Sequence, residues 1–166
     1  MCKDLRFVHL HTHSESSPDG LCPVDQLVNR AAEIGYESLA MTDHGTLANS
    51  IPFYTLCVEK GIKPIIGLEG YMLWNGNRHH ITLNSMSQEG LNNLIQLSNA
   101  AHINYTSGYP LMTIDMMAQY SKGVAVLTGC PASPIHAGEL NDAAHWLGAM
   151  KDIYDDRLWV EMMFVL

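Results

Sequence analysis

The sequence has few basic residues, and this scarcity limits how the chain could bind a polyanion. Lysine and arginine together number 9, against 17 aspartates and glutamates, which gives a formal net charge of −8. A domain that binds nucleic acid by itself usually carries a basic surface. If this chain acts on nucleic acid, the attraction must come from bound metal ions or from elsewhere. An acidic balance also favours a site that collects divalent cations.

Long apolar segments are missing as well. No run approaches the roughly 18–20 apolar residues that span a bilayer, and the opening residues MCKDLRFVHLHTHS lack the pattern of a signal peptide. We therefore expect no membrane partner and a cytoplasmic location. In such a reducing compartment, scattered cysteines without a C-x-x-C pair are expected to be free thiols. There are four: Cys2, Cys22, Cys57 and Cys130.

Strand and helix patterns alternate along the 166 residues, and this alternation predicts an α/β fold. With 47% hydrophobic and 16% charged residues, the composition is that of a globular domain. Strands are predicted at 6–11, 37–42, 63–73, 79–84, 123–129 and 157–166. Helices are predicted at 23–35, 46–60, 88–102, 113–119 and 139–155. Such alternation is typical of a mostly parallel sheet or barrel with helices outside.

Three of the nine histidines alternate in the segment VHLHTHSESSPDG at 8–20. Alternate residues of a strand share a face, so His9, His11 and His13 are expected to point the same way. An H-x-H pattern on a strand before a turn favours metal binding over a packed core histidine. Isolated histidines in helix or loop contexts are expected to be surface or structural residues: His102, His136 and His145.

Residue types that bind metals also follow later strands. In parallel barrels, functional side chains lie at the carboxyl ends of strands and in the loops after them. Four of the first five predicted strands fit this rule, with His11, His13, Asp19, Asp43, His44, Glu69 and Cys130. The strand at 79–84 fits it poorly, because His79 and His80 lie at its start. Imidazole, carboxylate and thiolate are ligands of zinc, manganese and iron.

Asp43 allows two interpretations from its position alone. It could cap the helix predicted at 46–60, or it could orient the neighbouring His44 without binding metal itself. The two roles are compatible. A mixed set of six or seven histidine and acidic ligands favours more than one metal, and two close metals can clamp a phosphate and activate a water.

The motifs HLHTHSESSPDG, TDHGTLANSIPFY, GIKPIIGLEGY and GVAVLTGC together resemble the PHP (polymerase and histidinol phosphatase) domain family. The branch most similar opens the alpha subunit of bacterial DNA polymerase III. The likeness continues through SQEGLNNLIQLSNAAH and DIYDDRLWVEM, so it covers nearly the whole chain. It implies a distorted, seven-stranded TIM-like β/α barrel. Because about six strands are present, we expect one PHP domain over residues 1–166, incomplete at its C-terminus.

The resemblance also implies a cluster of up to three divalent ions, with zinc, manganese or iron as candidates. Matched by motif, the family's metal ligands fall on His11, His13, Asp19, His44, Glu69, His80 and Cys130. His9 ranks below these, because relatives vary at its position. The short loop before the 79–84 strand leaves His79 as a rival of His80.

Two further departures from the family pattern bear on the site. The segment from His13 to Asp19 is one residue shorter than the usual polymerase pattern, which could displace Asp19. The family's last strand ends in a D-x-H pair that supplies two ligands, and the sequence reaches Leu166 without it. The chain is therefore expected to be either a fragment of a longer polymerase or a protein with an incomplete site.

Active members of the family hydrolyse phosphoesters, and some replicative polymerases use the domain as a metal-dependent 3′–5′ exonuclease. The resemblance predicts that activity here, with DNA and other replisome subunits as partners. Catalysis would run through metals held mainly by His11, His13, Asp19, His44 and Glu69. Two alternatives stay open: a weak or inactive scaffold that docks replisome subunits, and a small-molecule phosphatase of the histidinol-phosphate type. The polymerase-like motifs disfavour the second.

Overall fold

One mixed sheet with helices packed against it forms the body of the chain. The computed structural model describes residues 7–105, 108–137 and 139–163. Its strands are β1 (Ser38–Met41), β2 (Lys63–Trp74), β3 (Asn77–Ser85), β4 (Leu111–Met112), β5 (Val124–Leu127) and β6 (Leu158–Trp159). Its helices are α1 (Val24–Glu33), α2 (Ser50–Glu59), α3 (Gln88–Ile103), α4 (Ile114–Gln119), α5 (Pro134–Ala137) and α6 (Leu140–Tyr154). The predicted α/β class and the incomplete TIM-like barrel are confirmed.

The sheet is mixed, which corrects the expectation of a mostly parallel one. Strand β2 pairs in parallel with β1 and β4 along one edge, and antiparallel with β3 along the other. Strand β3 pairs antiparallel with β5, and β5 pairs in parallel with β6. The hairpin between β2 and β3 turns at Asn75 and Gly76, whose φ angles of 48° and 77° suit a two-residue turn.

The first predicted strand is much shorter than expected. His9 makes an isolated bridge with Leu39, and the Thr42 backbone N–H donates to the Thr12 carbonyl at 2.8 Å. The Thr12 backbone N–H donates to the Thr42 hydroxyl at 3.1 Å, so a side chain replaces a backbone partner and ends the regular ladder. An extended segment therefore lies beside β1 without forming a full strand.

Other predicted boundaries also shift. Helix α2 begins at Ser50 rather than at 46, because the Ala48 backbone N–H donates to the Thr46 hydroxyl in a preceding turn. The last predicted strand is reduced to the two residues of β6, and 164–166 lie outside the described residues.

Helices α1 and α2 pack on β1 through apolar residues spaced four apart. Val24 and Val28 from α1, with Phe53 and Cys57 from α2, are buried together with Leu39. This spacing places each pair on one helix face. A second cluster joins α3, α4 and α6 to the central strands, and its fully buried members include Leu94, Leu97, Met117, Trp146 and Met150. The helices thus occupy one side of the sheet and leave the polar side chains of the other side to form a site.

No helix in the described ranges is long and apolar enough to cross a membrane. Three cysteines, Cys22, Cys57 and Cys130, are free thiols. Cys2 lies outside the described residues.

Close contact between α3 and the turn before β5 provides a test of the packing. A Cβ added at Gly90 would overlap the backbone carbonyl of Gly123, whereas one added at Gly148, exposed on α6, would meet nothing. We expect Gly90→Ala to lower the free energy of unfolding by about 1–3 kcal/mol. The matched Gly148→Ala should raise it by about 0.5–1 kcal/mol. Urea unfolding followed by circular dichroism measures both, and equal effects would contradict the packing.

Candidate metal centre

A buried carboxylate, that of Glu69, lies at the centre of the site. Strand β2 holds it in mid-strand rather than at a strand end, with a side chain only 1% exposed. Its Oε2 lies 3.0 Å from His11 Nε2, 2.7 Å from His13 Nε2 and 3.3 Å from His44 Nε2. Its Oε1 lies 3.2 Å from His80 Nδ1. Four imidazoles from three separate segments therefore surround one carboxylate.

The remaining two predicted ligands border this cluster. Asp19 Oδ1 lies 2.9 Å from His13 Nδ1, and Asp19 Oδ2 lies 3.3 Å from His44 Nε2. The shortened turn thus leaves Asp19 beside the cluster, with its side chain 59% exposed at the mouth. Cys130 Sγ lies 3.4 Å from His80 Nδ1. All seven predicted ligand residues line one cavity of about 410 Å³.

The antiparallel course of β3 explains why its first residues reach the site. His80 lies opposite Tyr71 and Thr82 lies opposite Glu69 in the hairpin register. Since β3 runs against β2, its start lies beside the later part of β2, where a parallel strand would place its end. His80 shares a face with Thr82, whereas His79 is buried on the other face of β3. The structure brings His80, and not His79, to the cluster.

His9 lies apart from the cluster. Its ring contacts those of Phe7 and Tyr36, with centroid distances of 4.7 Å and 5.6 Å. The expectation that three alternate histidines share a face holds for His11 and His13 alone, because the regular ladder does not extend through this segment. Burial lowers the pKa of His9.

Asp43 ties the loop after the first segment to the end of β1. The Ser14 backbone N–H and hydroxyl each donate to its carboxylate at 2.6 Å, and the Ser17 hydroxyl donates at 2.9 Å. The Ser17 oxygen also accepts from the His44 backbone N–H at 2.9 Å. The interpretation of Asp43 as a helix cap is wrong, because α2 begins at Ser50. Asp43 instead supports the backbone of His44 through Ser17.

The charges at the site depend on one another. Burial raises the pKa of Glu69, but the imidazoles of His11, His13 and His80 close to its carboxylate outweigh burial and hold this pKa far below its usual range. Burial lowers the pKa of His11, but hydrogen bonds to Glu161 and Glu69 raise it to about 9. The metal-free site therefore carries an ionised carboxylate and a protonated His11 near neutral pH.

The neighbouring ionisable groups respond to the same environment. Burial and the nearby Glu69 raise the pKa of the Cys130 thiol to about 11, so this cysteine is protonated at neutral pH. Burial lowers the pKa of His44 despite the nearby carboxylates. Neutral histidine and ionised carboxylate are the forms that ligate metals, and a thiol must lose its proton first.

The donor atoms converge in a manner that suits a metal ion. Three overlapping groups have their donor atoms within 4.8 Å of one another: His11, His13 and Glu69; His13, Asp19 and His44; and His44, Glu69 and His80. A tetrahedral zinc with bonds near 2.0–2.1 Å holds its ligand atoms about 3.3 Å apart. His11 Nε2 and His13 Nε2 lie 3.2 Å apart. Two nitrogens that face each other at this distance need a proton or a cation between them.

Sequence reasoning missed Glu161, which follows β6. Glu161 Oε1 lies 2.7 Å from His11 Nδ1, on the far side of the imidazole ring from Glu69. The rule that singled out residues at strand ends could not have found this glutamate, because Glu161 lies in the middle of the strand predicted at 157–166. Sequence reasoning also missed Tyr71, whose ring stacks on that of His44 with centroids 5.7 Å apart and meets the His80 ring edge-on at 5.3 Å.

The chain belongs to a known class of domains: the PHP domain family model matches residues 9–163, and the chain is a member of that family. Among its relatives is the DNA polymerase III subunit alpha of Aquifex aeolicus (strain VF5), 35% identical over 98% of this chain and 16% of the relative. The same subunit of Helicobacter pylori (strain ATCC 700392 / 26695) is 31% identical over 98% of this chain and 15% of its own length. The predicted resemblance is confirmed, and the chain spans about a sixth of these relatives.

A solved structure supports the fold independently. It comes from Bifidobacterium adolescentis and is described, provisionally, as a metal-dependent phosphoesterase. Its TM-score is 0.61 at 15% sequence identity, over 93% of this chain and 76% of that one. At this identity the likeness establishes a shared fold.

Metal affinity is expected to rise with pH, because a metal must displace the proton that His11 holds. With a pKa near 9 in place of 6.5, His11 is protonated in the metal-free protein at neutral pH. Each displaced proton strengthens apparent binding about tenfold per pH unit up to that pKa. Titration calorimetry with zinc between pH 6.5 and 9, in buffers of different ionisation enthalpy, measures both affinity and proton release.

The stability of the metal-free protein should follow the opposite trend. A raised folded-state pKa stabilises fully below pH 6.5, and this contribution is lost as the pH rises through about 9. Thermal unfolding in chelator should therefore show a falling Tm over the interval in which metal affinity rises. Metal affinity that does not change with pH would contradict the charge state assigned to His11.

Replacing Asp43 by asparagine should destabilise the loop that carries Asp19. The amide has one accepting oxygen for three donated hydrogen bonds, and its NH₂ group would face buried donors. We expect the free energy of unfolding to fall by about 1–3 kcal/mol, against a change within about 0.5 kcal/mol for exposed Asp152→Asn. Urea unfolding compares the two variants. Similar small changes would show that Asp43 does not support this loop.

Proposed function

We propose that this chain is the PHP domain of a replicative DNA polymerase, and that it hydrolyses phosphoesters with a metal-dependent, 3′–5′ exonuclease-like action. The observation that carries the proposal is the buried Glu69 carboxylate enclosed by four imidazoles beside an open cavity. Removing such charges from water costs several kcal/mol per ion, and apolar residues of similar volume would usually stabilise a fold as well or better. A domain kept only as a scaffold has no need of this arrangement.

The proposed ligands are the seven residues of the cavity: His11, His13, Asp19, His44, Glu69, His80 and Cys130. The two oxygens of Glu69 face different histidines, so each oxygen would be available to hold a metal together with its own imidazole neighbours. Up to three ions of zinc, manganese or iron are proposed, with residues 1–166 as one domain. Divalent metals in such sites polarise a phosphoester and activate a water for attack on phosphorus.

Residues around the proposed ligands would border the substrate path and hold the histidines in place. Asp19, exposed at the mouth, borders the path by which a phosphoester reaches Glu69. The Tyr71 ring keeps His44 and His80 in place, with centroid distances of 5.7 Å and 5.3 Å.

DNA and other replisome subunits are the proposed partners, and the cytoplasm is the proposed location. The support is the polymerase subunits among the relatives. The net charge of −8 means that this chain supplies little electrostatic attraction for DNA. We therefore propose that metal ions and other parts of the polymerase supply most of the attraction that binds DNA.

Metal analysis of the purified protein tests the proposal. We expect two or three tightly bound ions per chain by mass spectrometry, and about none in the double variant His11→Ala/His13→Ala. A control with the same number of substitutions, His102→Ala/His145→Ala, removes two exposed histidines and should keep the wild-type metal content. A folded wild-type chain that binds no ion after incubation with zinc, manganese or iron would contradict the proposal and favour the scaffold.

Hydrolysis is then measured with manganese on a single-stranded oligonucleotide labelled at either end. We expect stepwise shortening from the 3′ end, reduced about 100-fold or more in Glu69→Gln. Hydrolysis of histidinol phosphate without cleavage of DNA would contradict the exonuclease proposal and favour the small-molecule phosphatase.

A further inference from the structure

The two ring nitrogens of His11 have different surroundings. Its Nε2 faces the cluster, 3.0 Å from Glu69 Oε2 and 3.2 Å from His13 Nε2. Its Nδ1 faces away from the cluster, 2.7 Å from Glu161 Oε1. The imidazole therefore links the proposed metal site to a second carboxylate.

Glu161 is itself held in place by two threonines. The Thr82 hydroxyl donates to Glu161 Oε2 at 3.2 Å, and its oxygen lies 3.1 Å from His11 Nδ1. The Glu161 backbone N–H donates to the Thr128 hydroxyl at 2.9 Å. Both threonines are fully buried. Main-chain and side-chain contacts thus fix the Glu161 carboxylate against β3 and the end of β5.

An ionised carboxylate can only accept hydrogen bonds, so the contact with Glu161 requires a proton on His11 Nδ1. That tautomer leaves the lone pair of Nε2 free for a metal. A carboxylate behind a ligating histidine also raises the basicity of the ligand and fixes the plane of its ring. These are the properties a positioning residue would need at this place.

We propose that Glu161, supported by Thr82, is the positioning residue that holds His11 in its metal-binding tautomer and orientation. This inference rests on the proposed metal site. Glu161 acts through His11 and is not itself a ligand, because His11 Nδ1 and Thr82 engage its two oxygens. Within the described ranges, Glu161 also belongs to none of the groups whose donor atoms converge.

The test compares zinc affinity, measured by competition with a chelating dye, in four proteins. Glu161→Gln keeps the size of the side chain but loses the charge, and we expect zinc to bind about 10–100-fold more weakly. Thr82→Val keeps the carboxylate and removes its support, and we expect a loss of about threefold to tenfold. Glu59→Gln, on the exposed end of α2, should bind like the wild type.

A second measurement separates positioning from a general loss of stability. Nitrogen-15 NMR of the zinc-loaded wild type should show a proton on His11 Nδ1 and zinc on His11 Nε2. In Glu161→Gln the Nδ1 proton should exchange faster with water, or the other tautomer should become visible. A variant that only lowers Tm would leave these signals unchanged.

The outcomes distinguish this inference from the proposed function. Zinc affinity within twofold of the wild type in both Glu161→Gln and Thr82→Val, with unchanged His11 signals, would overturn the positioning role and leave the metal site intact. A wild-type protein that binds no divalent metal would overturn both. If Glu161→Gln does not fold, unchanged affinity in Thr82→Val would still overturn the inference.

Discussion

The site depends on a negative charge that water hardly reaches. Glu69 is 1% exposed, and an ionised carboxylate in that position requires positive charge close by. Four imidazoles with a nitrogen within 3.3 Å of the carboxylate can supply this positive charge. The attraction between carboxylate and imidazoles lowers the pKa of Glu69 strongly and raises the pKa of His11. In the metal-free protein, protons on the imidazoles supply the positive charge. We propose that divalent ions replace them.

The curl of the sheet brings the groups of the site together. Its two ends are the extended segment before β1 and the segment after β6, and they meet where His11 lies 2.7 Å from Glu161, 150 residues further along the chain. Strands β2 and β3 supply Glu69, His80 and Thr82 between those ends. The curl of the sheet therefore brings together polar groups that no short stretch of sequence could bring together.

Local pattern was sufficient to predict much of the site and less of the topology. Strand alternation put His11 and His13 on one face, and motifs found the other ligand candidates. The hairpin was missed, although Asn75 and Gly76 between two apolar strands form a strong turn signal, so the sheet was expected to be mostly parallel. Glu161 could not be assigned a role, because its contact with His11 depends on the curl of the whole sheet.

Anomalous diffraction from crystals soaked in zinc tests the central claim most directly, because it locates the ion instead of inferring it from binding. We predict a peak about 2.0–2.2 Å from His11 Nε2, His13 Nε2 and Glu69 Oε2. The account would be contradicted if zinc bound at full occupancy at other places in the crystal while the cavity showed no peak. In that result, Glu69 would still be enclosed by its four histidines without a metal.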